Sequence, residues 1–457
     1  MATTVVLLGT FAPAANTFIT ATVLPSVVRE VGGLALYAWA TTVYAVACIV
    51  SSAASSVAMR RLGTRLALVV SGTVLAAGTA MCGAASTMEV VVAGRAVQGL
   101  GGGMMFGVLH GSVRELFPEV MWPSRLALVA GVWGVASIGG PFLAGLLAQI
   151  GMWRAAFWGM VPVILAPCAM AWGLLPRRPA RRGPPPRVPV GRLLLICVAV
   201  VGLASVANVR GSAPRAALVA AAALAILLTF RLDARAAVRL FPADMLSLGR
   251  PMGKAAAMIF LIAAASSPTG IFMALLVRLV HDVPPAVAGY FYAGQSLAWS
   301  LSALFSARVS ADRTRAALVT GPLVMAGGLG AVALTIGPGP VLGVAGGLVL
   351  VGTGIGLCWA HITRIVLASG REGEGEVSAA LTPSVQLFAI AFGGAMSGIV
   401  ATGTGLADAG SAPVAALTGT VLFAGATVGP LAAAWIATGL HAPLPRPGAT
   451  AHASTAS

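Results

Sequence analysis

The chain has 457 residues, of which 58% are hydrophobic and only 9% charged. Water-soluble domains carry about 25% charged residues, so a soluble domain is excluded, and the length far exceeds what one membrane anchor needs. The formal net charge of +16 does not point to nucleic acid, because the arginines fall in short clusters between apolar runs without the interleaved aromatics of a nucleic-acid platform.

A polytopic helical membrane protein is the class that fits. Apolar runs of about 17–25 residues, cut by proline, glycine and charge, predict fourteen spans. They fall at 4–28, 34–58, 66–86, 89–112, 126–150, 155–175, 191–208, 215–230, 252–279, 285–307, 316–336, 340–363, 377–402 and 413–440. The seventh and eighth are the shortest, and twelve is the count if those two form a hairpin at the interface. The opening "MATTVVLLGTF" lacks the basic region of a secretory signal, so the first span is expected to be retained. Cys48, Cys82, Cys168, Cys197 and Cys358 lie within apolar runs at no metal or redox spacing, and read as small buried hydrophobes.

The arginines test the count. With the N-terminus inside, the cytoplasmic connections hold 22 basic residues and the opposite side 5, while Arg95 alone falls within a span. That bias sets an even number of spans and both termini in the cytoplasm, across the plasma (inner) membrane. The proline-rich, basic stretch "RRPARRGPPPRVP" after the sixth span reads as an extended linker near anionic lipid. Residues 1–176 then form an N-terminal six-helix bundle. Residues 177–250 hold the linker, two extra spans and a loop; 251–441 form a second six-helix bundle; and 442–457 are a cytoplasmic tail. "TRLAL" (64–68) after the second span and "TRAAL" (314–318) after the tenth are a weak internal echo of two related halves.

The fourth span contains "GRAVQGLGGGMMFG". Arg95, Gln98 and Gly102 share one helix face, and the surrounding glycines permit close approach of a neighbour. An intramembrane arginine costs about 2.5–3.5 kcal/mol on insertion scales, so it normally faces protein or water. Two readings stay open: snorkelling toward Glu89, or a cavity-facing guanidinium that bonds cargo or polar side chains of the first span. The fifth span, "GVWGVASIGGPFLAG", presents Gly131, Gly134, Ser137 and Pro141 as a small-residue strip, with Pro141 able to bend it.

Taken together, Arg95-x-x-Gln98-Gly99-x-Gly101-Gly102, the fifth-span run with Gly134, Gly139, Gly140, Pro141 and Gly145, "WRAAFWGMVP" (153–162) and "TVLPSVVREVGG" (22–33) resemble the major facilitator superfamily, and within it the 14-helix drug:proton antiporters. The resemblance implies two six-helix bundles plus two extra central helices, and export by alternating access. It further implies gating roles for Gly63, Arg65, Gly134, Gly140, Pro141, Gly145, Asp312 and Arg313.

Two departures stand out. Asn16 occupies the position where the family usually has a first-helix acid, and all twelve carboxylates fall outside the spans or at their ends. Arg60 in "MRRLGTR" replaces the usual aspartate of the gating loop, for which Asp312 and Arg313 in the later loop are the candidate substitute. An arginine without a buried acid should favour neutral or anionic cargo over a cation. Proton coupling would need another titrating group, for which His361 and His110 are the histidines near spans.

By the same resemblance, the first, fourth, ninth and twelfth spans line the path. That makes Asn16, Thr20, Arg95, Gln98, Ser266, Ser267, Gln295, His361 and Gln386 the candidate cargo-binding residues. Pro268 in "SSPTG" is expected either to break its helix and free carbonyls for cargo, or to make a kink capped by the serines. No nucleophile motif, metal-ligand cluster or phosphate-binding loop is present, so no enzyme activity, metal, cofactor or ATP is expected. The expected partners are a small-molecule cargo and the lipid bilayer, with protons as the candidate coupling ion, for a monomer. A neutral or anionic metabolite carrier without proton coupling is the alternative, followed by a membrane enzyme or sensor.

Overall fold

The computed structural model describes residues 2–118, 121–176, 189–206, 209, 211–236, 239–242, 244–306, 308, 313–337, 339–371 and 375–440. Among these every regular element is helical. The N-terminal half comprises α1 (Ala2–Val31), α2 (Tyr37–Gly83), α3 (Met88–Leu116), α4 (Trp122–Gln149) and α5 (Trp153–Leu174). The extra pair is α6 (Val190–Ser205) and α7 (Ser212–Ala234). The C-terminal half comprises α8 (Pro251–His281), α9 (Pro285–Ser306), α10 (Thr314–Thr335), α11 (Val341–Ala368), α12 (Gly375–Gly403), α13 (Leu406–Ala409), α14 (Ala412–Ala426) and α15 (Val428–Thr438). Ten helical stretches among the described residues are long and apolar enough to cross a bilayer. The chain is therefore an all-α, multi-pass membrane protein.

The 47 residues of α2 would run about 70 Å as one helix, twice the thickness of the hydrocarbon core. Gly63 resolves this with φ 76° and ψ 159°, a region open essentially to glycine alone. The registers on α3 reveal the reversal. A Cβ on Gly99 would stand 2.4 Å from the Tyr44 carbonyl, and one on Gly103 would stand 2.5 Å from Cys48 Cα, a parallel register. On the second segment, Gly101 would meet Leu75 N at 2.2 Å and Gly94 would meet Cys82 Sγ at 2.7 Å, an antiparallel one. The chain turns back at Gly63, and α3 lies against both segments at backbone distance.

The C-terminal half repeats this device: Gly321 and Gly328 on α10 face Gly354 and Gly347 on α11 at similarly short range. The last apolar run, predicted as one span over 413–440, is stepped into α14 and α15 at Thr427. Glycines at 425 and 429 weaken the helix there, and Pro430 removes a backbone donor.

The halves meet along two seams. At one, Gly145 on α4 abuts Ala286 on α9, and Gly289 on α9 abuts Thr22 and Pro141. At the other, Gly394 and Gly398 on α12 abut Thr42 and Ala38 on α2. The second seam is covered by α6: Ala199, Val200, Leu203 and Ala204 are buried among Trp39, Ala45, Ala391 and Ala395. Buried Asp233 ends α7 by pairing with Arg192 of α6 and accepting from Leu240 N (2.7 Å) and Phe241 N (3.0 Å), which ties the extra pair to the chain leading into α8.

Replacing Gly63 by alanine places a Cβ in that backbone region. We expect a stability loss of about 1–3 kcal/mol, read as a lower unfolding temperature of the detergent-purified protein. An unchanged temperature would mean that the turn forms without this conformation.

Candidate functional site

Arg95 does not snorkel. It is 3% exposed, and its guanidinium bonds α1, α2 and α3 side chains and backbone. Nε donates to the Ala40 carbonyl (3.1 Å), and Nη1 donates to Gln98 Oε1 (2.7 Å), with a longer contact to Thr20 Oγ1 (3.5 Å). The Tyr44 ring covers the guanidinium with its centroid 3.9 Å from Cζ, a cation–π contact that partly replaces lost hydration. Gln98 Nε2 in turn donates to Asn16 Oδ1 (3.2 Å) and Thr79 Oγ1 (3.0 Å). Asn16, Thr79 and Gln98 are fully buried. The cluster thus joins α1, both segments of α2, and α3. The expected open crevice beside Arg95 is not what the structure shows: the tyrosine and the first-span polar residues occupy its surroundings.

Tyr44 and Thr79 were not singled out in the sequence. A tyrosine in a membrane span looks like any packed or lipid-facing aromatic, and a threonine bonding its own i−4 carbonyl, as Thr79 does to Leu75 O (2.7 Å), gives no signal.

The C-terminal candidates are more dispersed. Ser266 and Ser267 both donate to the Ala263 carbonyl (2.9 and 3.1 Å), and α8 continues unbroken through Pro268. The expectation of a broken helix with free carbonyls is therefore corrected to a proline site capped by its serines. The Ala264 carbonyl, which Pro268 has no N–H to bond, lies against Gly393 of α12. Gln295 is 3% exposed and its Oε1 has no hydrogen-bond partner. Gln386 is half-buried. His361 is buried, with Nε2 3.0 Å from Ser306 Oγ and Nδ1 3.1 Å from Arg364 Nη2. Since a guanidinium only donates, Nδ1 accepts, so the proton sits on Nε2 and the ring is neutral in this arrangement.

The gating candidates divide. Gly63 makes the turn described above, and Arg65 stacks on Trp172 with 4.2 Å from Cζ to the ring centroid. Gly140 packs on Phe18, and Gly145 on Ala286. Of the strip expected on the fifth span, Pro141 packs against Gly289, while a Cβ at Gly131 or Gly134 would meet nothing within 4 Å, as at Gly139. Asp312 lies outside the described residues, and Arg313 stands at the N-cap position of α10 without a side-chain capping bond. Where Arg60 replaces the family's aspartate, Thr64 beside the turn bonds instead to Glu115 on α3, an acceptor not singled out in the sequence.

Arg95→Ala would leave Gln98 Oε1 without its donor, at about 1–3 kcal/mol, and would take from the Ala40 carbonyl the bond it accepts beyond its own helix. We expect a clearly lowered unfolding temperature, only partly recovered in Arg95→Lys, because an ammonium cannot reach three acceptors in one plane. Equal stability of all three proteins would show that the relay is dispensable for folding.

Comparison with known proteins places this geometry. Residues 6–394 match the family profile described as Major Facilitator Superfamily. A probable multidrug-efflux transporter of Mycobacterium tuberculosis is 32% identical over 414 residues, covering 88% of this chain and 87% of that protein. An efflux pump of Gibberella fujikuroi is 31% identical over 159 residues, covering 34% of this chain and 28% of its own. Among solved structures, a POT family transporter superposes with a TM-score of 0.69 at 13% identity, covering 96% of this chain and 97% of that one. A human organic anion transporter gives 0.62 at 14%, covering 95% and 98%. With the profile spanning most of the chain and a relative of this identity over nearly all of it, the chain belongs to the major facilitator superfamily of membrane transporters.

Proposed function

We propose that this transporter exports lipophilic small molecules by alternating access. It sits in the plasma membrane with fourteen spans and both termini cytoplasmic. The two segments of α2 count separately, α14 with α15 counts as one span, and α6–α7 is an added pair between two six-helix bundles. The names of the relatives support the cargo class, and the arginine distribution supports the orientation.

The observation that carries the mechanism is where the halves touch. Arg278 Nη1 donates to Ser26 Oγ (3.0 Å), Tyr37 meets Phe272 (5.4 Å between centroids), and Phe18 meets Tyr292 (5.5 Å). With Gly145–Ala286, Gly289–Thr22 and Gly398–Ala38, these contacts gather toward the end of the bundle that carries Arg29, Glu30 and Asp282. On the proposed orientation that end is extracellular, so the conformation is closed to the outside. Export requires these contacts to part and equivalent ones to form at the other end.

Proton exchange, if it drives export, falls to His361 in the absence of a first-helix acid. Protonation at Nδ1 would set two cations 3.1 Å apart, so Arg364 would have to leave.

Two measurements test the reading. Oxidising Thr22→Cys with Gly289→Cys should seal the closed end and stop uptake of lipophilic drugs into inverted vesicles, with recovery on reduction; uptake continuing through the cross-link would defeat alternating access. Uptake should also rise with an imposed proton gradient, and His361→Gln should abolish that dependence. A gradient response intact in the variant would remove the histidine from coupling.

A further inference from the structure

The extra helix α7 rests on very little protein. Among the ten described stretches able to cross a bilayer it is the least buried, with 22% of Ala213–Ala234 inside the structure. Ala222, Ala225, Thr229 and Asp233 are its inward stripe, turned to α6. Leu224, Leu228, Arg231 and Arg235 recur at i, i+4, i+7 and i+11, so they share a second stripe, set nearly opposite Asp233. Leu224 is 55% and Leu228 38% exposed, and both arginines are exposed as well.

Two guanidiniums thus end a stripe that otherwise faces lipid chains. Asp233, the acid between them in sequence, is withdrawn from them: it is buried, pairs with Arg192, and accepts from Leu240 N and Phe241 N. No ion pair among the described residues engages Arg231 or Arg235. Arg239 adds a third charge beside them, donating from Nη2 to the Ala234 carbonyl at the end of α7 (3.3 Å). At the other end of the same helix the arginine is occupied, since Arg215 Nε donates to the Val209 carbonyl (2.8 Å).

We propose that Arg231 and Arg235 hold the phosphate of an anionic phospholipid whose chains lie along Leu228 and Leu224. The leucines stand about one and two turns before Arg231, so chains laid on them bring the headgroup to the guanidiniums. Arginine's planar donors match phosphate oxygens, and an anionic headgroup adds no ammonium for three arginines to repel, as a zwitterionic one does. The orientation of the bundle sets only which leaflet supplies the lipid, the inner one in the proposed arrangement. Through Asp233 and Arg192, a lipid seated on α7 also steadies α6, which covers the α2/α12 seam.

The test is native mass spectrometry of the full-length protein in mild detergent, with phosphatidylglycerol and phosphatidylcholine of matched chains. Phosphatidylglycerol should be retained over phosphatidylcholine by roughly tenfold. Arg231→Gln combined with Arg235→Gln should remove the preference. Arg231→Lys with Arg235→Lys should keep most of it, because an ammonium still binds phosphate as a point charge. Arg215→Gln should leave it unchanged. Equal retention of the two lipids by the unmodified protein, or a preference that survives the glutamine pair, would overturn the proposal. So would an equal loss in Arg215→Gln, which would make net charge and not place the cause. Millimolar inorganic phosphate should fail to displace the lipid, since it gains nothing from the leucines; displacement would assign the arginines to a free anion instead.

Discussion

A buried positive charge that meets no carboxylate among the described residues is the constraint around which the N-terminal half is built. A carboxylate would satisfy Arg95 at short range, but it would also bring a second desolvation penalty. Here the charge is stabilised by dipoles and a π face: a backbone carbonyl, a side-chain amide, a hydroxyl and the Tyr44 ring. Each comes from a different part of the fold. Thr20 lies on α1, Ala40 and Tyr44 on the first segment of α2, and Gln98 on α3 itself, while Thr79 on the second segment holds Gln98. Arg95 and Gln98 together therefore tie four crossings into a unit, and a rocking mechanism needs each half to move as such a unit.

The C-terminal half reaches rigidity differently. Its glycines bring α10 and α11 to backbone distance, as in α2 and α3, but its polar links are separate from one another: Arg364 bonds Thr314 (3.2 Å) and His361, which meets Ser306, while at the other end Thr404 meets Thr418 (2.7 Å). The two threonines of the sequence echo, Thr64 and Thr314, do the same job with opposite partners. Thr64 donates to the acid Glu115 on α3, while Thr314 accepts from the base Arg364 on α11. Related architecture persists although the chemistry at equivalent places has changed sign.

This contrast explains what was readable in the sequence. The class, the helical runs and the family came through because they rest on composition, run length and short glycine-rich strings, which are local. The Gly63 turn was also local, as a glycine within a basic break. The relay was half legible: Arg95, Gln98, Asn16 and Thr20 stand out as polar residues in apolar runs, but which of them touch depends on how three helices pack. Tyr44, Thr79 and Glu115 carry no local mark of their role. The Ser266–Pro268 stretch went the other way, since a serine bonding its own helix and a serine free for cargo look identical in sequence. The step at Thr427 was hidden because the run stays apolar across it.

On the proposed mechanism, the closed end of the bundle must keep two states close in energy. No ion pair among the described residues joins the two halves there; Arg278 bonds the neutral Ser26, and beside it glycines meet backbone or small side chains and ring meets ring. The ion pair nearest that end, Arg154 with Glu30, stays within the N-terminal half. On that mechanism, contact between the halves is weak and area-dependent, so parting them costs little beyond the packing that the opposite end can regain. The pair α6–α7 adds apolar cover to the α2/α12 seam and not to the α4/α9 seam. On the proposed mechanism the two seams therefore differ in what must part, since only the α2/α12 seam carries the added apolar cover of α6.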